Sequence, residues 1–328
     1  MIYDVSGNEI GSGGSGKTPN VNVADSVSFV GSPVTIFEND DATAVSGTDD
    51  GLLNAVSVVK ISDAMYYMYY EGFSGGANYS NISLCFAYST DGQTFIKGFP
   101  SGVTAPIAGT NRLLPKGSTH GQCVVKVPDA DNPFRMISIK GTDANRIAQM
   151  WKSPDGINWA LHRQISSGYN DSFVSVIVRG NLLKIFVRNR QGDVRSIAVI
   201  TTDLDGNRHD ESYVLEILSE SSTQQLYQAS ASILDDHREL LLPTVYNPNT
   251  SAETVAAIVL NNQAAEYKTL DVSAVIPSDV KSIYFGSGLV NIGLKTYAYY
   301  STRDSDHEHF VLGTTKSAIK RVEVNVSI

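Results

Sequence analysis

The chain is poor in cysteine and has neither a long apolar run nor an excess of positive charge. Its 328 residues include two cysteines, Cys85 and Cys123, too few for the disulfide framework of a small secreted domain. Both fall inside predicted strands, so we expect buried free thiols. A disulfide between neighbouring repeats is the alternative.

The other absences exclude whole classes of function. No stretch comes near the roughly 18 consecutive apolar residues of a membrane span. The 34 acidic residues outnumber the 25 basic ones, for a formal charge of −9. This balance argues against a nucleic-acid partner, because such binding needs a basic surface. A Gly-rich phosphate loop and a nucleophile elbow are missing as well, so no cofactor is predicted.

What the sequence does contain is a repeat of short strands. Residues 53–99 are predicted to form four strands rich in Val, Ile, Tyr and Phe, separated by turns rich in Gly, Asn, Asp and Ser. A single sheet of this kind cannot bury both of its faces. The pattern recurs, and the five repeats span residues 53–99, 120–163, 171–218, 228–270 and 287–328. We therefore predict an all-β fold, a five-bladed β-propeller.

The N-terminal region stands apart from these repeats. Residues 1–24 combine a strand–turn–strand pattern with a Gly/Ser linker, which predicts an attachment segment, while the propeller occupies residues 25–328. Residues 26–37 alternate as a strand that either packs outside the propeller or joins a terminal repeat. The opening MIYDVSGNEI resembles the short leader of bacteriophage tail proteins, which implies attachment to a larger assembly and a homotrimer. The implied location is extracellular or virion-associated. No secretory signal peptide is recognisable, and release by cell lysis, as for phage proteins, would not need one.

Strand direction predicts where a site would lie. In each repeat the first strand starts and the second strand ends on one face, here named the top face, because the two form an antiparallel hairpin. The long connections collect on this face, whereas the opposite face has mainly tight turns. Function on a rigid scaffold concentrates in the longer loops, so we expect the site on the top face.

Two turns on the opposite face share the pattern S-x-D-G-x-x-aromatic. They span residues 89–95 and 153–159, and residues 202–207 form a looser third example. Asp and Gly are typical of the turn geometry itself, and the aromatic residue is expected to pack between repeats. These aspartates are therefore interpreted as structural.

The motif YYMYYEG at residues 66–72, the S-x-D-G turns and the five repeats together resemble the five-bladed propellers of glycoside hydrolases related to families 43, 32, 62 and 117. The resemblance implies a triad at the starts of the innermost strands of the first three repeats: an Asp base, an Asp that tunes pKa and orients substrate, and a Glu acid. The matching positions here are Asn54, His120 and Asp171. One carboxylate of three is kept, so the family's mechanism is not expected to operate unchanged.

Other carboxylates could replace the missing ones. A glycosidase needs two carboxyl groups across the scissile bond, about 5 Å apart for retention and about 6.5–9.5 Å for inversion. Asp171 with Asp50 or Glu71 is such a pair, and His120 could assist as an acid or base. The alternative is that these residues at loop edges are only solvated.

The top face also gathers cations and aromatic residues. Four basic residues lie at or just after the ends of second strands, where they could bind a carboxylate or phosphate. They could equally pair with nearby aspartates and stiffen the loops. Tyrosine suits contact with a sugar ring. The candidate ligand-binding residues are Asn54, Lys140, Arg188, Arg190, Tyr169, Tyr227, Gln228, Tyr246 and Arg303.

His307 and His309 are the candidates for a metal site, because His-x-His on an extended segment points both rings to one side. An exposed acidic hairpin tip explains them equally well.

Two functions follow from the whole pattern. The first is recognition of a bacterial surface glycan through the top-face pocket, as part of a phage tail or another surface assembly. The alternative is an active glycoside hydrolase with a displaced carboxylate pair.

Overall fold

A computed structural model describes residues 2–4, 27–74, 79–141, 146–167, 170–191, 194–208, 213–215, 224–261, 264–269, 280–306, 311 and 314–326. In these ranges the regular structure is 21 β-strands and one short 3-10 helix, Tyr79–Asn81. None of these residues belongs to a helix long and apolar enough to cross a membrane.

The described strands form four hydrogen-bonded sheets, of which the largest has eight strands and divides into two antiparallel groups of four joined by one parallel pair, Ser287 with Ser57. On this division the strands are described below as five units of four. Unit 1 contains β3 (Leu52–Ser62), β4 (Met65–Phe73), β5 (Ile82–Ser89) and β6 (Ile96–Lys97). Unit 2 contains β7 (His120–Lys126), β8 (Phe134–Lys140), β9 (Ile147–Ser153) and β10 (Ala160–Ser167). Unit 3 contains β11 (Asn170–Arg179), β12 (Leu182–Gln191), β13 (Val194–Asp203) and β14 (Tyr213–Leu215), and β1 (Ile2–Asp4) pairs with its outer edge. Unit 4 contains β15 (Gln225–Ile233), β16 (Arg238–Asn247), β17 (Ala252–Asn261) and β18 (Ala264–Thr269).

Unit 5 is completed by a strand from the other end of the sequence. It contains β19 (Ser282–Ile292), β20 (Lys295–Arg303), β21 (Ser317–Val326) and, outermost, β2 (Val27–Glu38). The predicted strand at residues 26–37 is confirmed, and it joins a terminal unit. β21 pairs directly with β20 and is therefore the third strand of this unit.

The first strand of each unit lies on the inside of the molecule. Residues of β3, β7, β11, β15 and β19 together line a central cavity of about 560 Å³ on the face opposite the top face. In β3 the eight positions from Leu52 to Val59 are all buried, without the alternation of a sheet that faces water. A strand is buried on both sides when its sheet is packed between two neighbours. This radial packing makes the fold a β-propeller.

Small hydrogen-bonding side chains tie the inner strands to each other. The Val124 amide donates to the Ser57 hydroxyl (3.1 Å), and the Ser287 hydroxyl donates to the same oxygen (2.5 Å). The Ala231 amide donates to the Ser175 hydroxyl (2.8 Å). The corresponding position in the five inner strands is occupied by Ser57, Cys123, Ser175, Ser230 and Ser287.

The cysteines are free and buried, as expected. Cys123 takes the serine position of β7, where its thiol is hydrogen-bonded to Ser287 and Val176, and burial raises the pKa of this thiol to about 12. Cys85 is fully buried in β5. Both thiols therefore serve packing.

The S-x-D-G turns are structural, as predicted. The carboxylate of Asp91 accepts from the amides of Gln93 (2.7 Å) and Thr94 (2.8 Å). Asp155 accepts in the same way from the amides of Ile157 and Asn158, both at 2.8 Å. Each turn thus satisfies its own backbone through the aspartate.

The same turns dock on the neighbouring unit. Tyr69 of unit 1 donates to the Gly156 carbonyl of unit 2 (3.0 Å), and its ring lies edge-on to Trp159 with centroids 6.1 Å apart. Tyr299 of unit 5 repeats this contact with the Gly92 carbonyl and Phe95 of unit 1. The aromatic residue of the motif packs between units, as expected.

Candidate functional site

The inner strands are distorted where they approach the top face. Each carries a break in its pairing register within a few residues of its start, for example between Asn54 and Ser57 in β3 and between His120 and Cys123 in β7. Two non-glycine residues at these breaks have a positive φ, Ala55 (44°) and Phe173 (69°). Such bulges re-aim side chains and are concentrated beside functional sites. The axis of the top face is therefore the candidate site.

Glu71 and His120 form a buried pair on one side of this axis. The His120 Nδ1 lies 2.9 Å from one Glu71 carboxylate oxygen, which also accepts from the Gly121 amide at 2.5 Å. The Asn54 amide donates to the other oxygen at 3.4 Å. The Glu71 side chain is 0% exposed and that of His120 is 13% exposed. Glu71 thus orients a histidine that reaches the site.

The two aspartates before β3 stabilise the loop. Asp49 is buried, accepts a hydrogen bond from Tyr70 (2.6 Å) and forms an ion pair with Lys97 (3.0 Å). Asp50 is exposed and accepts from the Gly47 amide of its own turn at 3.0 Å. Gly72 is required beside them, because a Cβ at that position would lie 2.5 Å from the Asp49 side chain. The Asp50 carboxylate is not brought into contact with Glu71.

Aromatic rings form the floor of the site. The Phe173 ring lies 6.0 Å from that of His120 and 5.1 Å from that of Tyr284. Tyr227 lies 5.6 Å from Tyr284 and 5.9 Å from Tyr246. Four rings from units 3, 4 and 5 thus make one connected layer, and each is less than about a tenth exposed.

Three guanidinium groups lie on these rings. Arg188 is centred 4.1 Å from the Tyr227 ring, and Arg195 is 5.5 Å from the same ring. Arg303 is 5.0 Å from the Tyr284 ring. These are cation–π distances, and the contacts fix the orientation of long side chains. Units 3 and 5 therefore direct positive charge at one place.

Glu253 is an acidic group at this layer. Its two carboxyl oxygens accept from the Ile283 amide (2.9 Å) and the Tyr284 hydroxyl (3.0 Å). Burial raises the pKa of Glu253 to about 7, although these two bonds and the charges of Arg303 and Arg188 oppose the shift. A carboxyl group with this pKa exchanges its proton near neutrality.

We name these residues the central cluster. It draws one or more side chains from units 2 to 5, while Glu71 of unit 1 supports it through His120. Its members are His120, Phe173, Arg188, Arg195, Tyr227, Tyr246, Glu253, Tyr284 and Arg303.

No protein-family model matches the chain, and no curated protein sequence does. Among solved structures it is similar to the α-L-arabinanase of Penicillium chrysogenum complexed with arabinobiose, at a TM-score of 0.52 and 10% identity, covering 89% of this chain and 98% of that one. The GH93 α-L-arabinofuranosidase of Fusarium graminearum with arabinobiose gives 0.53 and 10%, covering 89% and 97%. The catalytic domain of the Coprinopsis cinerea GH62 α-L-arabinofuranosidase gives 0.55 and 12%, covering 91% and 96%.

The fold is that of the β-propeller glycoside hydrolases. At these identities the likeness is one of fold, and it confirms the propeller predicted from the repeats.

Some predicted site residues lie elsewhere on the propeller. Asn54 is buried and bonded to Glu71 and Ser301. Gln228 donates to the Phe285 carbonyl and so links β15 to β19. Lys140 is exposed at the end of β8. The hydrogen bonds of Asn54 and Gln228 therefore do not involve the rings of the central cluster.

Other predicted residues fall outside the described part of the chain. Tyr169, His307 and His309 lie wholly outside it. Asp171 and Arg190 belong to β11 and β12 by their backbone, but their side chains are not among those described. Within the described residues no group of three or more His, Cys, Asp or Glu side chains is placed to hold a metal ion.

Three residues of the central cluster were not predicted from the sequence: Arg195, Glu253 and Tyr284. Arg195 and Glu253 lie near the starts of third strands, opposite the ends of second strands at Arg190 and Tyr246. Because a third strand starts on the face where the second ends, the same strand-direction argument applies to both. Considering third strands would have identified these two residues.

Proposed function

We propose that this protein recognises carbohydrate through the central cluster on the top face. The observation that carries the proposal is the convergence of aromatic, guanidinium, imidazole and carboxyl groups on the axis of the propeller, on a backbone that is strained at Ala55 and Phe173. Sugar sites combine such rings with a few convergent polar groups. The known sugar hydrolases of this fold support the choice of ligand class.

Recognition without cleavage is the form we propose. The position that matches the family's base carries Asn54, whose amide cannot take up a proton at working pH, and the second matching position carries His120. Glu71, the nearby carboxylate, is fully buried and held by three donors. We therefore assign to Glu71 the role of orienting His120, and not that of a catalytic acid or base.

One observation favours hydrolysis as the second candidate. Glu253 has a pKa raised to about 7 by burial, which suits a general acid. A hydrolase would need a second carboxylate across the bond, and Asp171 at the start of β11 is the candidate. We propose no further role for Asp50.

We propose that the ligand is a bacterial surface glycan and that the protein belongs to a phage tail or another surface assembly, as a homotrimer. The resemblance of residues 1–10 to phage leader peptides supports this part.

The test is incubation of the purified chain with bacterial surface polysaccharides, arabinans and fructans. Retention on a polymer and release of new reducing ends are both measured. We expect retention without new reducing ends. Release that is abolished in Glu253→Gln or Asp171→Asn would instead establish hydrolysis, and the absence of both signals on every polymer would refute a carbohydrate function.

A further inference from the structure

An ion pair is buried inside unit 1. The ammonium group of Lys97 lies 3.0 Å from a carboxylate oxygen of Asp49, and the two side chains are 5% and 0% exposed. The Phe37 ring of β2 lies against the same ammonium group, 4.9 Å from its centroid. Removing two charges from water is costly, and their attraction offsets the cost only when hydrogen bonds satisfy both groups.

The hydrogen bonds of this pair are unevenly distributed. The Asp49 carboxylate accepts from the Val45 amide and from the Tyr70 hydroxyl, both at 2.6 Å. The Lys97 nitrogen is buried and has no hydrogen bond of acceptable geometry among the described residues, although it lies so near to Asp49. The contact is therefore a close approach of nitrogen to a carboxyl group without the alignment of a hydrogen bond.

The surroundings of this pair suit attack of the nitrogen on the carboxyl carbon. A lysine that is desolvated in an apolar pocket is an activated nucleophile. Groups held in contact react as though at a concentration of roughly 10⁵–10⁸ M. Negative charge develops on the carboxyl oxygens during such an attack, and Val45 and Tyr70 already donate to them. The Asn111 amide donates to the Tyr70 oxygen at 2.8 Å, which strengthens Tyr70 as a donor.

We propose that Lys97 and Asp49 join in an intramolecular isopeptide bond, which the protein forms by itself once unit 1 has folded. The proton first passes from the ammonium to the carboxylate, because burial favours the neutral forms of both groups. The Nζ lone pair then attacks Asp49 Cγ. An N–C bond forms, one C–O bond breaks, and the hydroxyl leaves as water with a proton from the nitrogen. The side-chain oxygen of Asn111, buried and without a partner among the described residues, is an acceptor for that water.

The bond would close unit 1 into a covalent ring. Asp49 precedes β3 and Lys97 ends β6, so all four strands of the unit lie between the two bonded residues. A cross-link over about 50 residues stabilises a fold by constraining the unfolded chain. Both cysteines are free, so no disulfide supplies this constraint. The reaction is independent of any ligand of the central cluster.

Mass spectrometry of the denatured wild-type chain tests the bond. We expect the chain to be about 18 Da lighter than its sequence mass, because one water is lost. Trypsin should not cut after Lys97, and residues 18–60 and 61–112 should remain joined as one branched peptide. Dehydration of an Asp-Gly pair to a succinimide removes the same mass but joins no peptides. Tandem mass spectrometry of the branched peptide therefore distinguishes the two reactions.

Two lysine variants connect the lost water to this pair. Lys97→Arg keeps the positive charge but has no amine for the bond, so we expect its full sequence mass. Lys152→Arg is the matched control, because Lys152 forms an even shorter ion pair, 2.6 Å, with Asp205, whose side chain is 61% exposed. Since that pair is solvated, the mass deficit should persist in Lys152→Arg. Tyr70→Phe removes one donor to the carboxyl group and should slow bond formation, followed by mass after synthesis, at least about tenfold.

The decisive measurement is made on the wild type and does not depend on a variant that folds. A wild-type mass equal to the sequence mass, with tryptic cleavage after Lys97, would overturn the inference. A mass deficit that survives in Lys97→Arg would overturn it as well, since the water would then be lost elsewhere. Bond formation at the wild-type rate in Tyr70→Phe would remove the role assigned to the Tyr70 hydroxyl.

Discussion

The protonation of one side chain, Glu253, makes the stability of the folded protein depend on pH. Burial raises the pKa of its carboxyl group from 4.5 to about 7, while Ile283, Tyr284, Arg303 and Arg188 act in the opposite direction. The folded protein therefore holds this proton over a range in which the unfolded chain has lost it. By linkage the folded state loses stability as pH rises from about 4.5 to 7, and the loss is constant above that range.

Replacing Glu253 with Gln should remove this dependence. We expect the free energy of unfolding of the wild type to fall relative to Glu253→Gln between pH 4.5 and 7, by on the order of 1–3 kcal/mol. Urea unfolding at several pH values measures it. Parallel pH profiles for the two proteins would contradict the raised pKa.

Single residues also show what the sequence could predict about the site. Arg188 and Arg303 were identified because the end of a second strand points to the top face. Tyr227 and Tyr246 were identified too, as candidate ligand contacts, and the structure leaves them only 2% and 1% exposed. A sequence does not show that an arginine will cover a tyrosine ring from above, because that contact joins different strands and units.

At the level of structural elements, the S-x-D-G turn is the most regular feature. Ser153, Asp155 and Gly156 act together: the aspartate accepts from two amides, the serine hydroxyl accepts from the Gly156 amide at 2.8 Å, and the glycine adopts a φ of 78°. A Cβ on this glycine would lie 2.6 Å from the Tyr69 hydroxyl. The residues of this turn therefore stabilise both the bend itself and the contact with Tyr69 of the neighbouring unit.

This gives a prediction with an internal control. Asp155→Ala should cost about 1–2 kcal/mol of stability, because two turn amides lose their acceptor. Asp205 also lies on the opposite face, but its carboxylate forms an exposed ion pair with Lys152. Asp205→Ala should cost no more than about 0.5 kcal/mol, and neither change should alter glycan binding. Equal losses in the two variants, read from chemical denaturation, would contradict the structural role.

The sequence predicts strands that pair within one repeat. It does not show which strands pair when they come from opposite ends of the chain. The hairpin of β3 and β4 follows from its Val, Ile and Tyr residues and its short turn. The order of unit 5 does not, since its outermost strand, β2, is separated from its partner β21 by almost the whole sequence. Only the pairing of Val27 with Val326 and of Glu38 with Ala318 decides which segment completes the sheet.

For the whole molecule, β2 is the piece that closes the ring. Its Val27 and Phe37 are 5% and 3% exposed. Just after it, Asn39 donates to the carbonyls of Gly51 and Thr315, both at 3.1 Å, and so joins unit 1 to unit 5. The propeller architecture was predictable, because similar sheets that cannot stand alone must pack side by side.

Two truncations test this closure. Removing residues 1–26 leaves β2 in place and should change stability by no more than about 1 kcal/mol, since β1 contributes three paired residues. Removing residues 1–38 uncovers β21 and loses two buried apolar side chains, at least about 3–6 kcal/mol. We expect the longer truncation to lose cooperative urea unfolding. Coincident unfolding curves for both would show that β2 does not close the ring.

The position of β2 also sets an order of events during protein synthesis. The ribosome produces β2 near the beginning and its partner β21 near the end, about 280 residues later. At roughly 5–20 residues per second, this strand waits on the order of 15–60 s for its pairing edge. Units 1 to 4 can form as they emerge, but the last sheet cannot be finished until translation is nearly complete. Over that interval β2 is the segment that most needs shielding from other nascent chains.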